Sequence, residues 1–410
     1  MSLSRREAVA RLAALTAMTA LPGCATSRLG GSAASDPLDG TIADYLAGFH
    51  RGRWSAAEMT AAALERCRTQ GMEFRVIDAL SATAMDDARA ADARRTAKNL
   101  RGPLDGVPVF AKSIYDMAGL PTTASSAEWA RLFPRPVTRD SLEITRLRAA
   151  GAIVLGKTAA DDFAYRGHGG STHTGQVLNP YDRTKSRTPG GSSAGSAVAV
   201  ACGMSFAALG TDDGGSNRIP AVCTGVVGMK PTFGLVPRTG VIPTWPYLDT
   251  HGPLARTVAD AAAMLAVIAG ADASDPLALV SPWDGKALAP FRDDALNGVR
   301  LGLVEAHVPR SEMTPSALAT WDRALADLRS AGAAVETFAP PVTLQNYRRA
   351  FTESAERRGD AAPNSRSPAP TANALYEYFA GRTDDPREAI RRGYSAYQKF
   401  YDVLPGTYEE

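Results

Sequence analysis

Two glycine-serine clusters constrain this 410-residue chain more than any other feature. They read GGSSAGS (190–196) and GTDDGGS (210–216), and the small residues between them predict a closely packed helix over 195–202. Each cluster places serines on a glycine-rich turn, where missing side chains let a reacting group approach and N–H groups can point at it. The clusters therefore indicate a reaction centre built on serine.

The candidate base for such a centre is a lysine. Lys112 lies in GVPVFAKSIYDMAG (106–119), and no convincing Ser-His-Asp order accompanies the clusters. The apolar run 107–111 before it reads as a buried strand end. Burial disfavours the charged amine, and a neutral lysine can take a proton from a serine hydroxyl. Alone, Lys112 would be read as a surface lysine; beside the serine clusters, it indicates acyl transfer.

Together these segments resemble the amidase signature family, over roughly Asp39 to Asp402. By this resemblance Ser216 is the nucleophile, Ser192 is a serine in a cis peptide that relays the proton, and Lys112 is the base. The 24 positions from Ser192 to Ser216 agree with the family spacing. The resemblance implies an α/β fold with a central mixed β-sheet covered on both faces by helices. It also implies no cofactor, and hydrolysis of a small-molecule or peptide amide through an acyl-serine.

The turn that ends in Ser216 is expected to stabilise the oxyanion of the reaction. Four backbone N–H groups can converge on that charge: those of Asp213, Gly214, Gly215 and Ser216. Asp212 and Arg218 flank the turn and are predicted to pair and support it. The alternative for this pair is an ordinary surface ion pair, which contributes little.

Four positions depart from the common family pattern. Asp213 stands where a neutral residue such as Thr is usual, and the other departures are Asn217 for Ile, Ala194 for Gly and Ser113 for Asp. A carboxylate of Asp213 that pointed into the oxyanion hole would oppose the developing charge. None of the four removes a catalytic group, so they bear on rate and specificity more than on mechanism.

Other functional classes are disfavoured by the sequence. Residues 151–158 (GAIVLGKT) match the phosphate-loop pattern, but a helical segment precedes the first glycine and AIVL is itself strand-forming. The net charge is +2 without a dense basic tract, so no nucleic-acid groove is predicted. His168 and His173 share a loop, but no Cys or carboxylate cluster completes a metal site.

The N-terminus resembles an export signal. Residues 1–24 hold a basic start, an Ala/Leu-rich stretch too short to span a membrane, and LPGC, which resembles a lipobox ending in Cys24. A plain cleaved signal peptide is the alternative. Residues 25–37 are predicted to be a flexible tether. The protein is therefore expected in the periplasm or cell envelope, with the membrane contacted only through a lipid on Cys24.

Alternating helices and strands predict one α/β amidase domain over 38–410. Helices are predicted at 41–50, 55–69, 81–97, 195–202 and 257–269, and strands at 107–112, 152–157 and 226–229. A strand-helix-strand unit is predicted at 299–304, 314–331 and 334–338. Cys67, Cys202 and Cys223 are predicted to be buried free thiols, because their number and spacing do not form a disulfide framework.

The C-terminal end is predicted to be short. The family usually continues past the segment that resembles Tyr401–Leu404, whereas this sequence ends in the polar tail 405–410. We expect exposed sheet edges and a less stable fold, unless the loop 361–371 and the helix after it cover the gap.

Three functions remain open from the sequence. The first is an exported amidase acting on linear amides, and the second is an A-type component of an amidotransferase, which the export signal disfavours. The third is a catalytically weak or silent lipoprotein of amidase fold with a binding role. The predicted pocket walls are loops 117–127, 166–174 and 244–249, with Tyr165, His168, Trp245 and Tyr247 as candidate lining residues. Substrate identity and oligomeric state are left open.

Overall fold

The computed structural model describes residues 36–339, except 183, 246–247, 276, 279–291, 293, 306–307 and 309. Within this part of the chain, residues up to 278 belong to one compact unit and those from 292 onward to a second. Cys24 and its signal, most of the tether, the loop 361–371 and the tail 405–410 all lie outside the described residues.

The first unit alternates strands and helices. Its strands are β1 (Ile77–Leu80), β2 (Pro108–Lys112), β3 (Ile153–Thr158), β4 (Gly170–Ser171), β5 (Gly175–Gln176), β6 (Ala207–Thr211), β7 (Val227–Gly228) and β8 (His251–Ala255). Its helices are α1 (Ile42–His50), α2 (Ala56–Arg66), α3 (Ala84–Thr96), α4 (Ala127–Leu132), α5 (Leu142–Ala149), α6 (Ala194–Ala201), α7 (Arg218–Thr224) and α8 (Val258–Ile268).

Six of these strands form one mixed sheet, in the order β1-β3-β2-β6-β8-β7. Strand β2 runs parallel to β3 and β6, whereas β8 is antiparallel to β6 and β7, and β1 is antiparallel to β3. Helices α3, α5, α6 and α8 pack against its strands. The predicted α/β class with a mixed central sheet is confirmed. Because β2 and β6 are parallel, their last residues, Lys112 and Thr211, meet at one edge.

Helices α1, α2, α6 and α8 begin within one residue of their predicted starts, whereas α3 begins at Ala84 and not at residue 81. Thr41 and Thr257 accept N–H groups of the first turns of α1 and α8. Ser55 and Glu58 form a capping box at the start of α2, with each side chain accepting the other residue's N–H. The predicted helix 55–69 is α-helical to Arg66 and continues as a π-turn over Cys67–Gly71. Among the described helices, none has the length and apolar character needed to cross a membrane.

The segment that matches the phosphate-loop pattern is a strand. Ser141 caps α5 by accepting the Ile144 N–H, and β3 then begins at Ile153. Lys157 is fully buried in β3, where its Nζ donates to Tyr115 O at 3.2 Å and to Thr122 Oγ1 at 3.3 Å. A lysine enclosed in this way cannot reach a phosphate. The prediction that residues 151–158 do not form a phosphate-binding loop is therefore confirmed.

The second unit contains the predicted strand-helix-strand arrangement. Strand β9 (Arg300–Leu303) pairs in parallel with β10 (Ala334–Thr337), and helix α9 (Pro315–Ser330) lies between them in sequence. Thr314 caps α9 by accepting the Ala317 N–H, and Pro315 occupies its first turn. The cap, the proline and the following Gly332 all occupy the positions expected from the sequence.

The cysteines of the first unit are free thiols, as predicted. Only Cys67 is buried, and burial raises the pKa of its thiol to about 12. Cys202 and Cys223 are half-buried, so the expectation that all three would be buried is wrong for these two. Cys202 lies just past the last residue of α6, where the buried run 194–200 has ended, and Cys223 lies on α7, which has both buried and exposed residues.

Candidate active site

Lys112 occupies the buried end of β2. Its side chain has no exposed surface, and its Nζ donates to Ser192 Oγ at 2.7 Å and to Thr211 Oγ1 at 2.8 Å. Thr211 is the last residue of β6, whose first residues pair with β2. The two adjacent strand ends and the first glycine-serine cluster therefore converge on the lysine amine.

The environment of Lys112 favours the neutral amine that a general base needs. Burial lowers the pKa of Lys112 to about 8, and nearby carboxylates, Asp213 first among them, oppose that fall without reversing it. The two hydrogen-bond partners of Nζ are uncharged hydroxyls. The lysine can therefore exchange protons near neutral pH.

Ser192 is fully buried and follows a cis peptide bond from Gly191. Its C=O accepts the Asp161 N–H at 3.1 Å. The Asp161 carboxylate in turn accepts the N–H groups of Gly169 and Gly170. A Cβ on Gly191 would lie 2.1 Å from Asp161 Oδ2, so this position excludes any side chain. The glycine thus allows Asp161 to pack directly against the Ser192 turn.

Ser216 is half-buried at the end of the second cluster, immediately before Asn217, which precedes α7. Its C=O accepts the Ser193 N–H at 3.1 Å, so the turn of Ser216 is tied to the residue after Ser192. Ser193 Oγ also donates to Asn217 Oδ1 at 3.1 Å. The structure therefore brings the turns of Ser192 and Ser216 together through residues adjacent to each.

The predicted ion pair of Asp212 and Arg218 is present and bidentate, with N–O distances of 2.9 and 3.0 Å. Burial alone would raise the pKa of Asp212, but hydrogen bonds from Arg218 and from the Asn217 and Gly215 N–H groups lower it to about 2. Asp212 is fully buried. The Asp212 carboxylate is therefore an ionised brace inside the Ser216 turn, whereas the Arg218 side chain is 53% exposed, so the pair lies at the surface only on its arginine side.

The predicted oxyanion hole has fewer available N–H donors than expected. The Gly215 N–H donates to Asp212 Oδ1 at 2.7 Å, so this donor is already occupied by the brace. Gly215 has a φ of 127°, a region that favours glycine, and this conformation turns its N–H toward the carboxylate. The prediction of four donors is corrected to three: the N–H groups of Asp213, Gly214 and Ser216 remain the predicted oxyanion donors.

Three residues that support the site were not assigned roles from the sequence. Thr211 holds Lys112, Asp161 holds the Ser192 turn, and Asn217 is fully buried, with its amide donating to Met229 O at 3.0 Å. Asn217, noted only as a departure from Ile, links the Ser216 turn to the segment after β7. Thr211 belongs to the second cluster, and its position at the end of an apolar run is the signal that could have identified it.

The structure describes most of the loops predicted to form the pocket walls. The rings of Tyr165 and Trp245 stack with centroids 6.3 Å apart, and Tyr165 is exposed. Thr244 Oγ1 donates to Phe163 O at 2.9 Å, which joins the loop 244–249 to the segment before Tyr165. His168 is exposed. Tyr247 lies outside the described residues.

No group of three or more His, Cys, Asp or Glu side chains is placed to hold a metal ion in the described ranges. His168 and His173 are both exposed there. The side chains that meet at this edge of the sheet are instead those of Lys112, Ser192 and Thr211.

The arrangement of a buried lysine, a serine after a cis peptide and a second serine on a glycine turn defines a class of proteins. The sequence profile of the Amidase family matches residues 58–394. The chain belongs to the Amidase family.

The chain is also similar to individual proteins of known sequence or structure. The chain is 44% identical over 250 residues to the A component of the glutamyl-tRNA(Gln) amidotransferase of Anaeromyxobacter sp. (strain K), covering 61% of this chain and 49% of the relative. It thus spans about half the length of that curated relative. Among solved structures it is similar to PAM12A, with 34% identity and a TM-score of 0.72, over 88% of this chain and 71% of that one. The native peptide amidase from Stenotrophomonas maltophilia is 32% identical, with a TM-score of 0.65, over 89% and 76% of the two chains.

Proposed function

We propose that this protein hydrolyses a carboxamide through an acyl intermediate on Ser216. The observation that carries the proposal is the contact of 2.7 Å between Lys112 Nζ and Ser192 Oγ, in a buried site whose second turn presents Ser216. Similarity to a solved peptide amidase supports the same chemistry. Membership of the family does not define the substrate, so the preferred class of amide is to be identified by comparing rates.

The proposed acylation transfers one proton to Lys112 and later returns one proton from Lys112 to the leaving group. Ser216 Oγ bonds to the amide carbon, its proton passes to Ser192 Oγ, and the proton of Ser192 passes to the neutral Lys112 Nζ. The resulting oxyanion is held by the three open N–H donors of the turn. When the C–N bond breaks, Lys112 returns a proton through Ser192 to the leaving nitrogen, which departs as ammonia or an amine.

Deacylation repeats these steps with water. Water attacks the acyl carbon and gives a proton to Lys112 through Ser192. The bond from carbon to Ser216 Oγ then breaks, the proton returns to Ser216, and the carboxylic acid leaves. Every proton is accounted for within the three side chains, the substrate and the attacking water, so the proposal includes no cofactor.

A serine-reactive fluorophosphonate probe tests the proposal directly. We expect covalent labelling of the wild-type protein, competition by an amide substrate, and no labelling of Ser216→Ala. A panel of peptide amides, aryl amides and aliphatic amides then identifies the substrate class by kcat/KM. Absence of both labelling and turnover in a folded wild-type protein would instead support a silent, binding role for the amidase fold.

An amidotransferase-type role is the second candidate, because the curated relative described above carries that name. In such a role the chain would release ammonia from glutamine for a partner enzyme. Glutamine turnover by the isolated chain, compared with turnover of peptide amides, separates the two roles. A preference for glutamine that increases when the partner enzyme is present would favour the amidotransferase.

We further propose that the protein is exported and lipid-anchored through Cys24. The support is the sequence of the leader, with its basic start, short apolar stretch and LPGC ending. In a bacterial host, the full chain is expected in the membrane fraction, and Cys24→Ser is expected to be soluble or unprocessed. Cys67→Ser is the matched control, since this thiol is buried in the fold. Mass spectrometry of a mature, soluble protein with an unmodified Cys24 would contradict the anchor.

A further inference from the structure

The loop after strand β7 packs against the Ser216 turn. Its first residue is Met229, whose C=O accepts the side-chain amide of Asn217 at 3.0 Å. A Cβ on Gly252 of β8 would lie 2.3 Å from this C=O, so the two backbones can approach closely because Gly252 has no side chain. These two contacts fix the backbone immediately before Lys230.

Lys230 binds the backbone that leads to Ser216. Its Nζ donates to Asp212 O, to Asp213 O at 3.4 Å and to Thr250 Oγ1 at 3.1 Å. Thr250 is close to the turn because the Asp212 N–H donates to its C=O at 2.7 Å. The side chain of Lys230 is 28% exposed, so its ammonium group is a half-buried charge held by three neutral oxygens.

The carboxylate of Asp212 does not account for this position of the ammonium group. Asp212 already accepts two hydrogen bonds from Arg218, at 2.9 and 3.0 Å. Lys230 Nζ lies farther from this carboxylate, at 3.6 Å from Oδ1. The charge of Asp212 therefore has a partner without Lys230. By contrast, the C=O groups of Asp212 and Asp213 accept from no other donor among the described residues.

The contact with Lys230 fixes the direction of two N–H groups. The peptide bonds that join Asp212 to Asp213 and Asp213 to Gly214 are trans. In a trans peptide the C=O and the following N–H point in opposite directions. Because both C=O groups are directed at Lys230, the N–H groups of Asp213 and Gly214 are directed away from it. In the described part of the chain neither N–H has an acceptor, and both are predicted oxyanion donors.

We infer that Lys230 orients and polarises two donors of the oxyanion hole through their own peptide groups. Its ammonium group binds the C=O groups of Asp212 and Asp213, and the N–H groups at the other end of the same two peptides bind the oxyanion. The inference rests on the proposed function, because it takes Ser216 as the nucleophile. Lys230 does not contact the substrate and is therefore a positioning residue.

Two physical effects of the lysine favour the oxyanion. Donors that are already fixed need not reorganise when the negative charge develops. A positive charge beside the C=O also polarises the peptide group, so its N–H becomes a stronger donor, as in a chain of hydrogen bonds. Both effects are larger for the negative oxygen of the transition state than for the neutral oxygen of the bound amide. Loss of Lys230 is therefore expected to affect kcat more than KM.

Kinetics of Lys230→Met give the first test. This variant is expected to lower kcat by about 10–100-fold, less than the loss of a whole oxyanion donor, with KM within about twofold of the wild type. Lys230→Arg keeps the charge and is expected to lie between the two proteins. Lys230→Gln keeps a neutral donor and provides the same comparison if Lys230→Met does not fold. An unchanged kcat in a folded Lys230→Met would overturn the inference.

A pair of ligands separates this role from a general structural one. The carbonyl carbon of an alkyl trifluoromethyl ketone bonds to Ser216 Oγ, its oxygen becomes an oxyanion, and the proton of Ser216 passes through Ser192 to Lys112. The matched trifluoromethyl alcohol has the same carbon skeleton but forms neither the bond nor the oxyanion. Lys230→Met is expected to weaken the ketone by the same factor as kcat/KM and to leave the alcohol unchanged. Equal weakening of both ligands would overturn the inference.

NMR tests the contact itself without turnover. Labelling of Asp with ¹³C at the carbonyl and of Gly with ¹⁵N selects the Asp–Gly pairs of the chain, which are 39–40, 105–106, 213–214 and 284–285. The signal of 213–214 is assigned by its loss in Asp213→Asn. It is expected to move in Lys230→Met, because the Asp213 C=O loses its donor, while the signals of 39–40 and 105–106 stay in place.

The NMR result also separates failure of this inference from failure of the proposed function. An unmoved 213–214 signal in Lys230→Met would show that the lysine does not hold this peptide, and would overturn the inference even in an active enzyme. If the wild type neither turned over an amide nor bound the ketone, the proposed function would fail. The same signal would then still decide whether Lys230 holds the Ser216 turn.

Discussion

Ser216→Ala is expected to abolish amide hydrolysis, with a fall in kcat/KM of about 10⁴-fold or more, while the melting temperature stays near that of the wild type. The substitution removes the atom that bonds to the substrate, and only binding and the oxyanion donors remain. The fold should tolerate the change because Ser216 is half-buried and its backbone C=O still accepts the Ser193 N–H. Steady-state kinetics and thermal unfolding measure the two effects.

Ser192→Ala is the matched comparison, since it removes the same atom from the neighbouring turn. It is expected to lose less activity than Ser216→Ala, because Ser192 relays a proton and does not bond to the substrate. A stable acyl-enzyme detected by mass spectrometry in Ser216→Ala would show that another residue is the nucleophile.

The second large effect concerns the base. The rate constant kcat/KM is expected to rise with pH up to an apparent pKa near that of Lys112, about 8, and then level off. The sign follows from the mechanism: below this pH the amine is protonated and cannot accept the Ser192 proton. Each pH unit below the midpoint should therefore cost about tenfold in rate.

Lys112→Ala is expected to lower kcat/KM by about 10²–10⁴-fold and to remove this limb of the pH profile. Lys157→Met is the matched control, because Lys157 is the other buried lysine among the described residues and does not contact Ser192 or Thr211. The limb should persist in Lys157→Met. An unchanged limb in Lys112→Ala would assign the base to a different group.

The elements with strong local signals could be predicted from the sequence. Thr41, Ser55 and Thr257 cap helices because each side chain accepts an N–H group of the first turn, and this requires only local sequence. Lys112 could be placed at a buried strand end because an apolar run precedes it. The strand-helix-strand arrangement of the second unit follows from Thr314, Pro315 and Gly332 in the same way.

Strands β6 and β8 could not be predicted from local signals. The first reads AALGT, in which the last residue, Thr211, is the only β-branched one, and the second reads HGPLA, which has no β-branched or aromatic residue that would favour a strand. Small residues suit them because they are fully buried against neighbouring elements, which is a tertiary effect. In the site, the contacts of Lys112 with Ser192 and Thr211 likewise depend on tertiary packing and not on sequence spacing.

The long sequence separation of the groups that meet at Lys112 has a consequence during synthesis of the chain. Lys112 contacts the hydroxyl of Ser192, which is 80 residues further along the chain, and the hydroxyl of Thr211, which is 99 residues from the lysine. Thr211 belongs to a strand that pairs with His251–Ala255 on its other side. A nascent chain that lacks His251–Ala255 already contains Lys112, Ser192 and Ser216, but one side of β6 is still unpaired. The lysine is therefore expected to be enclosed only after His251–Ala255 has been synthesised, since these distant contacts must close first.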